Sequence, residues 1–383
     1  IGLSIFWTAG SFPEYSSLKI FITMVITNYW NSAWRSLIKK KGFSAVNIVG
    51  LAIGMAAALL ILTYVAFEYS YDDMHSRQDR IFRVEARFYE NGELTDDWAS
   101  SSAGYATAMK QNMSAVEDYT RVGSQYYPEQ IVKYNELLYR ETGIGYAEAN
   151  FFDFFDFKLL KGNKESCLDG PNKVVITERI ARKYFKGADP IGKILIFRSN
   201  IGEEACEVTG IMEDMPVNTH VRYNLLISYK TLPKWMDEYW YRHEVYSYVL
   251  LKSANLKTQV EEDFPAMAEK YKTEEALKNK TWAIRLTNLR DIHLNPQKAY
   301  EPEVKGNRSS IWVLICTAFA ILCIAWINYI NMTVARSMER AKEIGIRRAS
   351  GASRRQVISQ FLFESLVTNG IAFILAIGLM EAL

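Results

Sequence analysis

The feature that most constrains this chain is a stretch of 26 residues, 42–67, that contains no charged side chain. A helix of about 20 apolar residues crosses the hydrocarbon core of a lipid bilayer, so this stretch predicts a membrane-spanning helix. A second charge-free stretch covers 309–335, and a third apolar stretch covers 365–383 with one acidic residue, Glu381. Each stretch predicts a span, and the alternative for each is a helix buried in a protein core.

The charged residues divide the chain in the same way. The mean hydropathy of −0.09 is that of a soluble protein. However, residues 68–309 carry 33 basic and 38 acidic residues, whereas the rest of the chain carries only 12 and 5. The sequence therefore predicts a membrane protein with a large water-soluble insertion between its first two spans. A hydrophobic content of 49% with four cysteines excludes collagen, low-complexity disorder and a disulfide-stapled scaffold.

Basic residues beside the spans predict the orientation, because Lys and Arg next to membrane helices favour the cytoplasmic side. Four basic residues and no acidic one lie between Met24 and the first span: Arg35, Lys39, Lys40 and Lys41. Seven basic residues and two acidic ones lie in 336–355. Both flanks are therefore predicted to be cytoplasmic and to contact anionic lipids, and residues 68–308 are predicted to be extracytoplasmic.

Residues 1–23 lack the basic start and the small-residue cleavage site of a signal peptide. We expect Met24 to be the natural start and 1–23 to be an extension. Within 24–41, apolar residues recur at helical spacing, with two tryptophans among them: Ile26, Trp30, Ala33, Trp34 and Leu37. Tryptophan favours the headgroup region, so this segment predicts an amphipathic interfacial helix. The alternative is that it forms the first turn of the first span.

Strands are predicted in the insertion by short apolar patterns. Apolar and charged residues alternate over 82–88, which is typical of a half-buried strand with its charged face in solvent. The apolar runs Val174–Ile176 and Val245–Leu251 predict two further strands. Gly210 interrupts a strand-like run and predicts a β-bulge.

Helices are predicted in the same region by spacing and by capping residues. Ser101 or Ser102 is expected to cap a helix that runs towards Met113, and Thr177 is expected to cap a helix with Ile180 on its buried face. Strands and helices together predict a mixed α/β domain over 68–308.

The chain carries no motif that supports catalysis by itself. Residues 187–193 have the glycine and lysine spacing of a phosphate-binding loop, but Ile194 follows where Ser or Thr is required, so this segment predicts a turn. Asp72, Asp73 and His75 could bind a metal, but a surface turn is the simpler interpretation. We therefore predict no catalytic residue, no cofactor and no metal.

The four cysteines fall into two groups. Cys167 and Cys206 lie in the predicted extracytoplasmic domain, where a disulfide is permitted, but their spacing does not establish one. Cys316 and Cys323 lie on one face of the second span, where packing is the expected role.

The segment between the second and third spans is the most informative part of the sequence. Its first half is basic and helix-forming, with Glu343 and Arg347 at a supportive i,i+4 spacing. Gly351 is expected to end this helix, and Ser353 to cap the next one. One interpretation is a solvated charged face against anionic lipid; the functional one is a helix that docks a soluble partner and connects rigidly to two spans.

This connector resembles that of the FtsX-like permeases, including the MacB-type ABC transporter permeases. The matching residues are Lys342-Glu343-Ile344-Gly345-Ile346-Arg347-Arg348, then Gly351-Ala352-Ser353 and Gln360-Phe361-Leu362-Phe363-Glu364-Ser365. Segments 71–84, 112–122 and 173–193, the last continued by 208–220, are similar to the MacB-like periplasmic core domain. The motifs occur in the expected order, and the resemblance covers about 24–383.

The resemblance implies a multi-pass α-helical membrane protein with a large extracytoplasmic mixed α/β domain between its first two transmembrane helices. The implied division is a 1–23 N-terminal extension, a 24–41 interfacial helix, transmembrane helix 1 at 42–67, the periplasmic core domain at 68–308 with an inserted β-rich part at about 150–225, transmembrane helix 2 at 309–335, a cytoplasmic coupling segment at 336–364 and transmembrane helix 3 at 365–383. The family has a fourth helix, so we expect this chain to be a fragment of a longer protein, either a single permease copy or one half of an internally duplicated chain.

The implied function is that of a permease subunit in the inner cell membrane. It would couple ATP hydrolysis by a partner ATPase to conformational work of its extracytoplasmic domain, for efflux or for lipoprotein or peptide export. The residues expected to contact the ATPase are Glu343, Ile344, Gly345, Arg347, Arg348 and Gly351.

Further partners implied by the resemblance are a second permease copy or half and a periplasmic adaptor, with no nucleic acid. The chain itself is expected to be non-catalytic. The alternative is a transmembrane sensor with an extracytoplasmic ligand-binding domain, although no histidine that could accept a phosphoryl group follows His293.

Overall fold

A computed structural model describes residues 27–35, 37–39, 41–123, 129–199, 202–238, 240–243, 245–272, 279–301, 305–335 and 337–382, without the side chains of 199, 337–340 and 343. The expectations for 1–23 and for Ile26 lie outside these residues. The chain forms two compact units. We call Ile1–Ala66 with Ser309–Leu383 the helical unit and Phe67–Arg308 the α/β unit.

The secondary structure elements are numbered in chain order. The helices are α1 (Lys41–Tyr69), α2 (Gly104–Asn112), α3 (Phe151–Phe154), α4 (Glu178–Phe185), α5 (Lys257–Ala268), α6 (Arg308–Ala335), α7 (Ser337–Ala349) and α8 (Arg354–Ala382). The strands are β1 (Ile81–Glu90), β2 (Glu93–Asp97), β3 (Val116–Gly123), β4 (Glu129–Tyr134), β5 (Leu137–Thr142), β6 (Ile144–Ala147), β7 (Leu159–Lys161), β8 (Lys173–Thr177), β9 (Ile194–Ser199), β10 (Gly202–Met212), β11 (Leu225–Ser228), β12 (Val245–Leu251) and β13 (Lys280–Asn288). Residues 27–35 and 37–39 are also helical.

Three helices of the helical unit, α1, α6 and α8, are long and apolar enough to cross a membrane. They contain 29, 28 and 29 residues. The helix α8 is continuous from Arg354, so the helix predicted to follow Ser353 and the apolar stretch 365–383 form one long helix. Which part of this helix lies in the membrane stays a prediction.

Small residues allow the helices of this unit to approach closely. Leu51 and Ala52 of α1 pack against Ala372 of α8. At Gly54 of α1, a Cβ atom would lie only 2.8 Å from the Cβ of Ala325 in α6. A glycine at this position therefore allows the two helices to approach closely.

Thirteen strands in the described part of the α/β unit form one sheet. Its main path runs β13-β1-β12-β3-β6-β11-β8-β10-β9-β4-β5, while β2 pairs with β1 and β7 pairs with β10. Most neighbours are antiparallel, but β8 with β10 and β6 with β11 are parallel. The predicted bulge is confirmed by a register shift between Val208 and Gly210.

The predicted strands are confirmed as β1, β8 and β12, but the expected solvent face of β1 is wrong. Arg83 and Glu85 are both 0% exposed. The segment that precedes α6 covers this face, and its residues Lys298 and Glu301 pair with the two charges. Alternation alone therefore identified the strand but not the burial of its polar face.

Capping was predicted correctly at one helix and wrongly at another. The Thr177 hydroxyl accepts a hydrogen bond from the Ile180 backbone N–H at the start of α4. At the start of α2 the N-cap is Ala103, without a side-chain cap. Ser101 and Ser102 instead bond across the fold, Ser101 to the Ser247 hydroxyl at 2.8 Å and Ser102 to a backbone carbonyl at 2.7 Å.

Cys167 and Cys206 are both buried free thiols, so the permitted disulfide is not formed. They belong to different core clusters, one around Phe151 and the other around Phe197. Burial raises the pKa of the Cys167 thiol to about 11 and that of Cys206 to about 12, so both are neutral packing groups.

Candidate functional site

The predicted coupling segment folds as a helical hairpin of α7 and α8. Between the helices Gly351 has a φ of 94°, a left-handed conformation that favours glycine at a helix end. The Ser353 hydroxyl accepts from the Gln356 N–H at 3.3 Å, and the Gln356 side-chain oxygen accepts from the Ser353 N–H at 2.9 Å. This reciprocal pair is a capping box. The predicted break at Gly351 and cap at Ser353 are confirmed.

Side-chain contacts fix the hairpin within the helical unit. The Arg347 guanidinium donates to the side-chain oxygen of Gln360. The Gln360 amide nitrogen in turn donates to the Ser32 hydroxyl at 2.7 Å. Close by, the rings of Tyr29 and Phe363 lie 6.0 Å apart. The hairpin is thus tied to itself and to the helical segment that precedes α1.

The predicted coupling residues are brought together on α7 and the turn that follows. Their exposure falls into two classes: Gly345, Arg348 and Gly351 are exposed, and Ile344 and Arg347 are partly buried. The side chain of Glu343 lies outside the described residues, so its pairing with Arg347 stays a prediction. The arrangement leaves a basic helix face accessible beside a partly buried, hydrogen-bonded arginine, Arg347.

In the α/β unit, residues at the end of α1 and just after it contact residues that precede α6. The Glu68 carboxylate lies 2.9 Å from His293 Nε2, and the ring of Tyr71 stacks on that imidazole at 3.4 Å. A Cβ atom at Gly306 would collide with Glu68 and His293. The first and last segments of this unit are therefore packed against each other.

The expected surface turn at Asp72 and His75 is wrong, because both side chains are buried. The Asp72 carboxylate accepts from the Thr219 hydroxyl at 2.6 Å and lies 2.7 Å from His220 Nδ1. Burial by itself raises the pKa of Asp72, but the charge and hydrogen bond of His220 outweigh it and hold that pKa well below its usual range. This carboxylate stays ionised and anchors the segment after α1.

A network of buried charges holds the segment that precedes α6 on β1. Arg83 lies between two carboxylates, 2.7 Å from Glu85 and 2.6 Å from Glu301. Lys298 pairs with Glu85, and Lys305 lies 2.6 Å from Glu301. Burial raises the pKa of Glu85, but Arg83 and Lys298 outweigh it and lower that pKa. The five residues act as an ionic clasp, and we use that name for them below.

Sequence reasoning missed the clasp, although one signal was available. Arg83 and Glu85 are two residues apart, so their opposite charges lie on one face of a strand. Nothing local links them to Glu301, more than 200 residues away in the chain. Among the described residues, no group of three or more His, Cys, Asp or Glu is arranged to hold a metal ion.

Family models match both parts of the chain. The MacB-like periplasmic core domain matches residues 44–267, and the FtsX-like permease C-terminal model matches 315–383. A solved domain of a candidate permease protein from Porphyromonas gingivalis shares the fold, with a TM-score of 0.50, 22% identity, and coverage of 60% of this chain and 96% of that one.

Curated relatives are similar at low identity. The "Probable syringafactin export ATP-binding/permease protein SyfD" of Pseudomonas syringae pv. tomato is 22% identical over 92% of this chain and 50% of its own length. The "Macrolide export ATP-binding/permease protein MacB" of Neisseria gonorrhoeae is 26% identical over 64% of this chain and 36% of its own. The chain thus spans half or less of these relatives. From its α/β unit, its connector and these matches, the chain belongs to the family of MacB-type, FtsX-like ABC transporter permeases.

Proposed function

We propose that this chain is the permease part of an ABC exporter and that it passes motion from a cytoplasmic ATPase to its α/β unit. Family membership supports the permease role, and the names of the relatives join ATP binding to export. On this proposal the chain is non-catalytic, acts with a second permease copy or half and a periplasmic adaptor, and lies in the inner membrane. The exported cargo would be an efflux substrate, a lipoprotein or a peptide.

The observation that carries the proposal is the geometry of the connector. α7 is a short basic helix with Gly345 and Arg348 exposed, and it lies between two helices long enough to span a membrane. Arg347 is bonded to Gln360 of α8, so a partner that shifts α7 would also move the rod formed by α8. On this proposal the ATPase contacts Glu343, Ile344, Gly345, Arg347, Arg348 and Gly351.

The ionic clasp supports the second part of the proposal, which is the transfer of motion to the α/β unit. Movement of α6 would reach β1 through Glu301 and Lys305, because both are held by buried ion pairs. Coupling also requires that the partner bind differently in its two nucleotide states.

Charge reversal in the native membrane tests the docking face, which is the exposed surface of α7 and the following turn that is proposed to contact the ATPase. Arg348→Glu changes an exposed residue of the proposed face and leaves the Arg347–Gln360 contact in place. Arg355→Glu is the matched control, an exposed arginine of the same connector outside that face. When each tagged protein is purified, we expect the Arg348→Glu preparation to contain little co-purified ATPase and therefore to hydrolyse little Mg-ATP. The Arg355→Glu preparation should retain this activity. Equal hydrolysis in both preparations would contradict the docking face.

The topology is tested by labelling with a membrane-impermeant maleimide in intact cells. In a background without native cysteines, Glu165→Cys is expected to react from outside and Arg348→Cys only after permeabilisation. Reaction of both cysteines from the same side would refute the proposed orientation.

A further inference from the structure

The α/β unit exposes apolar side chains at the point where it continues from the first predicted span. The last turn of α1 belongs to this unit, and its residues Phe67 and Tyr69 are 37% and 45% exposed. Met74, which lies in the turn that follows, is 42% exposed, and Val217, in the loop between β10 and β11, is 57% exposed. We call these four residues the junction patch. Exposed apolar side chains that lie together mark a surface that binds another molecule or a membrane.

Hydrogen bonds hold the two segments of the junction patch side by side. The Asn218 side-chain nitrogen donates to the Ser70 carbonyl at 3.1 Å and to the Ser70 hydroxyl at 3.0 Å. The Asn218 carbonyl accepts from the Asp72 backbone N–H at 3.0 Å. Val217 directly precedes Asn218, and Tyr69 directly precedes Ser70. The loop between β10 and β11 is therefore fixed beside the end of α1.

The acidic side chains next to the junction patch all have partners within the α/β unit. Five acidic residues lie within four positions of a patch residue. Their partners lie at 2.7–3.9 Å: Glu68 with His293, Asp72 with His220, Asp73 with Arg290, Glu213 with Lys158 and Asp214 with Arg182. A charge that has a partner costs less to bring towards an apolar phase than one that has none. The surroundings of the patch are thus compatible with a lipid surface.

The length of α1 relates the junction patch to the thickness of a bilayer. The helix has 29 residues, so it is about 43 Å long at 1.5 Å per residue. A bilayer with both headgroup regions is about 40–45 Å thick. With Lys41 at the cytoplasmic surface, as the flanking charges predict, Tyr69 reaches the opposite headgroup region. Tyrosine favours this region, because its ring is apolar and its hydroxyl is polar.

We propose that the junction patch inserts into the outer headgroup region of the membrane, with Val217 as the tip of a loop that contacts lipid. Lipid is the occupant because the patch is continuous with α1, a helix long and apolar enough to cross a bilayer. The inference rests on the proposed orientation of that helix. Contact with lipid would attach the loop after β10 to the membrane surface, so the sheet would have a third attachment besides α1 and α6.

Spin labels on single cysteines test this contact in the full chain, without native cysteines, in nanodiscs of phosphatidylethanolamine and phosphatidylglycerol. Oxygen concentrates in lipid, whereas the nickel complex NiEDDA stays in water. Labels at Val217→Cys and Met74→Cys are expected to collide more often with oxygen than with NiEDDA. Leu138→Cys on β5 is the matched control, because Leu138 is also an apolar side chain, 52% exposed, and its label should show the opposite ratio. A water-like ratio at 217, or low collision rates with both reagents, would overturn the proposal, since the loop would then lie in solution or under protein.

Two further variants separate this inference from the proposed topology. A label at Leu62→Cys, at a position of α1 that is 42% exposed, reports whether the helix crosses the membrane. A lipid signal at 62 with a water signal at 217 would overturn the loop contact alone, whereas water signals at both would also refute the span. Val217→Asp should shift the label at Met74→Cys towards water, and Leu138→Asp should leave it unchanged. An unchanged signal in the Val217→Asp protein would show that Val217 does not hold the patch in lipid.

Discussion

Replacing Glu85 by glutamine tests whether the ionic clasp holds the α/β unit together. The Glu85 carboxylate is 0% exposed and accepts from the Arg83 guanidinium at 2.7 Å, from the Thr287 hydroxyl at 2.7 Å and from the Lys298 ammonium. Glutamine keeps the shape but removes the charge, so Arg83 and Lys298 lose a shared counter-ion in a site closed to water. Breaking a buried pair in this way costs about 3–5 kcal/mol.

That cost is a large fraction of the stability of a typical domain, which is about 5–15 kcal/mol. With a urea dependence of about 2 kcal/mol per molar, the unfolding midpoint of the sheet should fall by about 2 M. Hydrogen–deuterium exchange of peptides from β1 and β13 across a urea series measures this in the full chain, because it reports the sheet separately from the membrane helices.

An exposed ion pair provides the control for this measurement. Glu129 lies 3.3 Å from Arg140, and their side chains are 50% and 76% exposed. Glu129→Gln should cost less than about 1 kcal/mol, since water screens such a pair. If Glu85→Gln moves the midpoint no further than Glu129→Gln does, burial of the clasp does not carry the stability assigned to it.

Two further predictions address the segment after α1 and the helix packing. The pKa of Asp72 is lowered in the folded state, so its contribution is full above the unfolded pKa of about 4 and is lost as pH falls through the folded value. Asp72→Asn should therefore make the unfolding free energy less dependent on pH below about 4, and an unchanged pH profile in urea titrations would contradict this. Gly54→Ala should lower the Tm in detergent, because its Cβ would lie 2.8 Å from that of Ala325, and overpacking costs about 1–3 kcal/mol. Gly370→Ala meets no atom within 4 Å and is the control; equal Tm values would show that α1 and α6 do not pack closely there.

Sequence patterns predicted those features of the fold that depend on neighbours along the chain. β12 was expected at Val245–Leu251 and has those bounds, because an apolar run that pairs on both edges is buried throughout. The cap at Thr177 and the turn at Gly351 are likewise local, since one hydrogen bond or one backbone angle decides them.

Features that depend on distant partners were not predicted. Ser102 fits the capping pattern, yet its hydroxyl bonds to the carbonyl of Arg242, 140 residues away. Asp72 and His75 fit a polar surface turn, but Thr219 and His220 bond to Asp72, and the Phe155 carbonyl bonds to His75, so the site is a buried hydrogen-bonded cluster. In each case a hydrogen bond to a residue distant in sequence forms in place of the expected local structure, because a buried polar group requires a hydrogen-bond partner.

The placement of the buried charges constrains how motion can pass through the α/β unit. The chain leaves α1 through Asp72 and approaches α6 through Glu301, and both side chains are held by buried polar partners. Pulling either segment away from the sheet would break these contacts. Breaking one buried pair costs about 3–5 kcal/mol, whereas a small shift of a hydrogen-bonded sheet as a body breaks none of its own bonds. Within the α/β unit, movement of the sheet together with these two segments is therefore less costly than separating them from it.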